Sequence, residues 1–129
     1  MQNQVTMPFE FVADTTGFRA ADCHVVRLYG RLRRKRDLLR ALANELRFPS
    51  YFGENWDSLE ECLSDLSWFP PPPDVAIVHK YLPLADSQQR AAYLDILKQT
   101  LNGQQRLRRV VFPREALKEV EQRLQVAGP

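Results

Sequence analysis

Three short segments constrain what this chain can fold into: "CHVVRLYG" (Cys23–Gly30), "VAIVH" (Val75–His79) and "RRVVF" (Arg108–Phe112). Each is rich in β-branched and aromatic residues and lacks the strict apolar–polar alternation of a half-solvated strand, so each reads as a buried strand. Buried strands of this kind pair in parallel, and parallel neighbours cannot be joined by a tight hairpin. The chain between them must therefore form crossovers, and its periodicity is helical. Leu38, Leu39, Leu42 and Leu46 fall at i, i+1, i+4 and i+8, giving one apolar stripe that Pro49 ends. Leu59, Cys62, Leu63 and Leu66 at i, i+3, i+4 and i+7 mark the buried face of a second helix, with Asn55 placed as its N-cap. "FPPPP" (Phe69–Pro73) then forms a stiff extended connector. A third helix is expected from about Ser87 to Leu101, with Leu94, Leu97 and Leu101 inward and "NG" closing it. Pro113 suits the first turn of a final helix carrying Leu117, Val120 and Leu124 on one side.

The order strand–helix–helix–strand–helix–strand–helix implies the α/β class: a small three-stranded parallel sheet packed with about four helices, joined by right-handed crossovers. The 129 residues suffice for one domain with a real core. Residues 1–22 read as an N-terminal extension in which Phe9, Phe11 and Val12 could form a short edge strand. Residues 23–112 make up the α/β domain, and 113–129 an added helix packed on it.

Little in the chain supports catalysis. It has no GxGxxG and no GxxxxGK[ST]. His24 and His79 both fall in expected strands, where a histidine satisfied by its neighbours is the commoner case. Two Cys and two His are too few for a structural zinc site, and Cys23 and Cys62 read as reduced, buried apolar groups, so no metal or cofactor is expected. No apolar run approaches the roughly 20 residues of a spanning helix. The N-terminus has neither a basic region nor an apolar stretch of the secretory kind. A cytoplasmic, non-enzymatic protein is the expectation, with no membrane partner.

Two charged stretches remain. "RLRRKR" supplies Arg31, Arg33, Arg34, Lys35 and Arg36, either a phosphate-binding patch or a solvated turn that balances acids elsewhere. With no aromatic interleaved for base stacking, and with its cations at a helix N-terminus, the solvated turn is preferred and no nucleic-acid partner is expected. The other stretch is "FPSYFGENWDSLEECLSDL" (Phe48–Leu66). The chain has 18 Lys and Arg, yet none lies between Ser50 and His79. Asp57, Glu61 and Asp65 repeat at i, i+4 along one ridge with Glu60 beside them, and each like-charge pair costs a few tenths of a kcal/mol. Bordered by Tyr51, Phe52 and Trp56, the ridge suits a basic protein partner, since aromatics anchor such interfaces and carboxylates steer cations.

"FPSYFGENWDSLEECL" resembles the signature of the barstar family of ribonuclease inhibitors: a turn with Pro, an aromatic pair, Gly-x-Asn, then an acidic helix with a Cys on its buried side. The resemblance covers roughly Cys23 to Phe112, and the order of elements agrees with the family's small parallel sheet. It implies a monomeric intracellular inhibitor of a small basic ribonuclease of the barnase type, an immunity function. The acidic helix and preceding loop would plug the active site, carboxylates standing in for RNA phosphates. The family pattern places Tyr51 at the loop's aromatic contact and Gly53 and Asn55 at the loop-to-helix turn. It makes Asp57 one motif aspartate and Glu61 the principal acid. Glu60 departs from an aromatic in the family's best-known member, Glu61 is one methylene longer than the usual aspartate, and Gln99 replaces a further acid.

Overall fold

The computed structural model of the chain describes residues 7–127; residues 1–6 of the N-terminal extension and 128–129 of the C-terminal segment lie outside the described residues. In chain order the elements are β1 (Glu10–Val12), β2 (Cys23–Leu28), α1 (Lys35–Glu45), α2 (Trp56–Asp65), β3 (Asp74–His79), α3 (Ser87–Asn102), β4 (Leu107–Pro113), a 3-10 turn (Arg114–Ala116) and α4 (Leu117–Ala127). All strand pairs are parallel, in the order β1-β4-β3-β2.

The sheet therefore has four strands where three were expected. The additional one, β1, comes from the N-terminal extension. Glu10, Phe11 and Val12 pair with Val111, Phe112 and Pro113. It falls at the short edge strand that Phe9, Phe11 and Val12 suggested, and side chains compensate for the short ladder. Phe9 meets the Phe112 ring edge-on at 5.4 Å, and Phe11 stacks on it at 6.1 Å. The Arg109 guanidinium donates to both Glu10 carboxylate oxygens at 2.7 Å, which holds that carboxyl below the usual range.

Strand β3 lies between two neighbours, and Val75 through His79 are all buried. Val26, Leu28, Val75, Ile77, Val110 and Phe112 join the helix stripes in one apolar cluster, which includes Leu38, Leu39, Leu42, Leu59, Leu63, Leu94, Leu97 and Val120. Ala76, Val78 and Val111 are equally buried but outside that cluster. By strand alternation they face the other side of the sheet. The N-terminal segment crosses this side: Arg27 donates to the carbonyls of Thr15 and Phe18, and Arg109 lies 4.9 Å from the Phe18 ring centre.

Several ends differ from expectation. Gly103 has an ordinary right-handed φ of −77°, and Gln104 takes the left-handed position instead at 55°. Pro113 is the last residue of β4 and not the first of a helix; α4 begins after the intervening turn. Leu66 is buried as expected but caps α2 in a left-handed conformation, φ 50°. That strained cap is held by Arg106, whose five N–H groups donate to five carbonyls. Nη1 reaches Leu66 (2.5 Å) and Phe69 (2.6 Å), Nη2 reaches Pro70 and Pro72, and Nε reaches Pro73. The proline connector cannot satisfy its own carbonyls because its prolines have no N–H.

His79 is 1% exposed. Its Nδ1–H donates to the Val111 carbonyl at 3.0 Å and its Nε2 accepts from the Tyr93 hydroxyl at 2.8 Å, while the ring stacks on Phe112 at 4.2 Å. Both nitrogens are used by the neutral ring, and burial holds its pKa down to about 4.

Two predictions follow from these contacts. Replacing Arg106 by Ala strands the carbonyls at the end of α2 and lowers stability by about 2–3 kcal/mol, read as a fall in Tm of roughly 10 °C. Arg106→Lys, with three donors on a point charge, recovers less than half of that loss. For His79 the unfolded state binds a proton below about pH 6.5 and the folded state only near pH 4. Its contribution is complete above 6.5 and is lost as pH falls toward 4, by about 3 kcal/mol. Urea unfolding at pH 7, 5.5 and 4 should show this step in the native chain and not in His79→Gln.

Candidate protein-binding face on helix α2

The loop before α2 is built to stop one helix and start another. Phe48 packs edge-on against Phe52 at 4.8 Å and against Trp68 at 6.1 Å, so Phe52 turns inward and is half-buried. Tyr51, its neighbour, is 63% exposed. The α2 N-terminus is closed by a reciprocal turn. The Asn55 side chain accepts from the Ser58 N–H at 2.8 Å, and the Ser58 hydroxyl accepts from the Gly53 N–H at 2.8 Å. A Cβ on Gly53 would lie 3.1 Å from Asn55 Nδ2, so a larger residue there would press on the cap. Asn55 is thus the expected cap. Glu54, between them, adopts φ 55° and pairs with Arg40 at 3.6 Å; the sequence pattern gave it no part.

Trp56 is half-buried, its ring stacked near-parallel on Tyr93 at 6.3 Å, with the Lys35 ammonium 5.0 Å from its centre. Since Tyr93 bonds to His79, the first residue of α2 rests on a buried polar network reaching the central strand. Tyr93 and His79 are support that spacing alone could not reveal, because their contacts join residues far apart in sequence.

Leu59, Cys62 and Leu63 are buried, which points Asp57, Glu60, Glu61 and Asp65 at solvent, where all four are exposed. Asp57, Glu60 and Glu61 line one open groove with Ser64, about 430 Å³ in volume; Asp65 lies outside it, one turn beyond Glu61. Ion pairs among the described residues join Arg40 to Glu54, Arg90 to Glu119, Arg108 to Asp74 and Arg109 to Glu10, and none involves a carboxylate of α2. Desolvation, then Cys62 and the Asp65 and Glu61 carboxylates, push the Tyr51 phenol above its usual range. Burial, followed by Glu61 and Asp65, raises the Cys62 thiol likewise. Cys23, expected to be buried, is half-buried, and both thiols are free.

The structure therefore brings Tyr51, Asp57, Glu60, Glu61 and Asp65 to one exposed surface, and turns Phe52 and the cap residues Gly53 and Asn55 to shaping it. The basic residues Arg31 and Arg33 lie in another cleft, between the segments that follow β2 and β3. Among the described residues no group of three His, Cys, Asp or Glu is placed to hold a metal ion, and no helix is long and apolar enough to cross a membrane.

No curated protein sequence matches the chain. The family model described as Barstar (barnase inhibitor) matches residues 23–113, from the first residue of β2 to the last of β4, leaving β1 and α4 outside the match. Because that span covers most of the chain and contains the whole loop and acidic helix, the chain belongs to the barstar family of barnase inhibitors.

Proposed function

We propose that this protein inhibits a small basic ribonuclease by presenting the α2 face to its active site. The observation that carries the reading is the set of four exposed carboxylates on one helix with no cation paired to them among the described residues, together with the exposed Tyr51. Asp57 and Glu61, four residues apart on one groove wall, are spaced along the helix by about 6 Å, close to the separation of successive backbone phosphates. In this reading they occupy the phosphate positions and accept hydrogen bonds from the enzyme's Arg, Lys and His side chains. Tyr51 supplies aromatic contact at the edge. Asp65 and Glu60 contribute field more than contact, drawing the cation-rich cleft of the enzyme toward the helix. Nothing covalent happens; inhibition is occlusion. The net charge of +2 does not oppose this, since an approaching protein responds to the face within roughly one Debye length, about 8–10 Å.

Against a panel of small basic ribonucleases, the chain should inhibit at least one stoichiometrically. Asp57→Ala and Glu61→Ala should each weaken inhibition of that enzyme roughly ten- to hundredfold, the loss of a charged hydrogen bond worth about 1.5–3 kcal/mol. Both side chains are exposed and form no ion pair among the described residues, so the thermal midpoint should move by less than about 2 °C. A double variant that inhibits as tightly as the native chain would sink the reading. A second arm measures association: raising salt from about 50 to 500 mM should slow binding at least tenfold, because steering is screened. A salt-independent rate contradicts the assignment of Glu60 and Asp65.

A further inference from the structure

The chain's other charged surface lies at the carboxyl ends of β2 and β3, where the segments leaving those strands are tied together. Lys80 N–H donates to Leu28 at 3.0 Å, Leu84 N–H to Leu32 at 2.9 Å and Ala85 N–H to Arg33 at 2.9 Å. Arg90 fastens the second segment from below, donating to the carbonyls of Pro83 (3.2 Å) and Leu84 (2.5 Å) while paired with Glu119. Leu32 and Leu84, joined by one of these bonds, both sit in the left-handed region, with φ of 51° and 72°. Two bulky residues there cost about 1 kcal/mol or more each, and such strain gathers at ligand clamps.

Between the two segments lies a cleft of about 250 Å³ lined by Arg31, Arg33, Tyr81, Leu82, Leu84 and Arg90. It runs into a second cleft of about 350 Å³ that shares Arg31, Tyr81, Leu82 and Arg90 and has Glu115 and Glu119 on its far wall. Arg31, Arg33, Arg34, Arg36 and Lys80 are exposed, and none forms an ion pair among the described residues. The run Arg31–Arg36 has no aromatic within it, but the fold supplies Tyr81 from the segment after β3 and Tyr29 from the residue after β2. The Arg31 guanidinium lies 4.2 Å and the Lys80 ammonium 5.7 Å from the Tyr81 ring centre, and Tyr29, 54% exposed, shares with Lys80 a surface too shallow to be a cavity.

We propose that this basic cleft, together with the exposed Tyr29 and Lys80 beside it, binds single-stranded RNA, with phosphates on Arg31, Arg33 and Lys80 and bases against Tyr29 and the Arg31–Tyr81 stack. Unpaired cations along a groove track a polyanion, and exposed aromatic or guanidinium faces accept bases only when those are unstacked from a duplex. The site goes beyond the inhibitor reading and does not depend on it: it uses the opposite charge on a different set of residues. A chain carrying both would meet a ribonuclease with one surface and its substrate with the other.

Fluorescence anisotropy with the full chain and a labelled single-stranded RNA of about 12 nucleotides tests this. Saturable binding is expected in the micromolar range at about 50 mM salt. Arg31→Ala with Arg33→Ala should raise Kd at least tenfold and flatten its salt dependence, and Lys80→Glu, on an exposed side chain, should weaken binding comparably. Tyr29→Ala should raise Kd about fivefold or more, the effect of one lost stack. Asp57→Ala with Glu61→Ala should bind RNA no more weakly than the native chain, which separates this site from the inhibitor face. Absence of saturable binding, native affinity in the arginine or Tyr29 variants, or equally tight binding of an RNA duplex of the same length would each overturn the proposal.

Discussion

Parallel pairing governs this molecule. With β3 hydrogen-bonded to β2 on one side and β4 on the other, both neighbours running the same way, no two successive strands can be joined by a turn. One helix is enough to return the chain from the end of one strand to the start of the next, and α3 does this between β3 and β4. Between β2 and β3 the chain uses two. The additional helix, α2, packs through its stripe onto the common core and through Trp56 onto Tyr93 of α3. Its outer face has no sheet or helix to cover, which frees it to carry a composition that no folding requirement selects.

Charge is segregated in a corresponding way. The acids of α2 and the cations around Arg31 belong to consecutive helical connections of the same crossover, yet α2 places four carboxylates in solvent with no ion-pair partner among the described residues. Ion pairs that do form serve the frame instead: Arg109–Glu10 fastens the edge strand, and Arg90–Glu119 ties α3 to α4. Cations are thus available within the molecule and are used elsewhere. Like-charge neighbours on α2 lower stability slightly, and a helix stabilised by burial of Leu59, Cys62 and Leu63 tolerates that easily, since each buried apolar side chain contributes about 1.5–3 kcal/mol.

Most of the fold was legible because it rests on periodicity. The stripes of α1 and α2, the cap at Asn55 and the three inner strands all follow from spacing of apolar residues and local turn chemistry. What escaped the sequence rests on contacts without period. β1 was suggested as a short edge strand, but its membership of the parallel sheet was not legible, because it is fixed by Arg109 and the Phe112 ring about a hundred residues later. The left-handed positions at Leu32, Leu66, Leu84 and Gln104 sit at residues that disfavour them, and Gly103, which favours that conformation, does not adopt it. At Leu66 and at the Leu32–Leu84 pair a tertiary tie, Arg106 on the Leu66 carbonyl and Leu84 N–H on the Leu32 carbonyl, overrides local preference. The acidic ridge was legible as composition. Its support was not: the turn of Trp56 onto Tyr93, and of Tyr93 onto His79, is a chain of side chains from three separate elements.

That chain of side chains divides α2 into parts with different freedoms. Asp57, Glu60, Glu61 and Asp65 form no ion pair among the described residues, so exchange among acids there changes the presented surface while leaving the fold indifferent. Trp56 has no such freedom, because its ring position is shared between the Lys35 ammonium outside and the Tyr93–His79 pair inside. A longer acid at position 61 and a second acid at position 60 are therefore changes the scaffold absorbs without repacking. Adaptation to a different cationic partner would be expected to proceed through those exposed carboxylates and the Tyr51 loop. The ends of the helix, fixed by Asn55 at one end and by Arg106 at the other, keep the face in place while its chemistry varies.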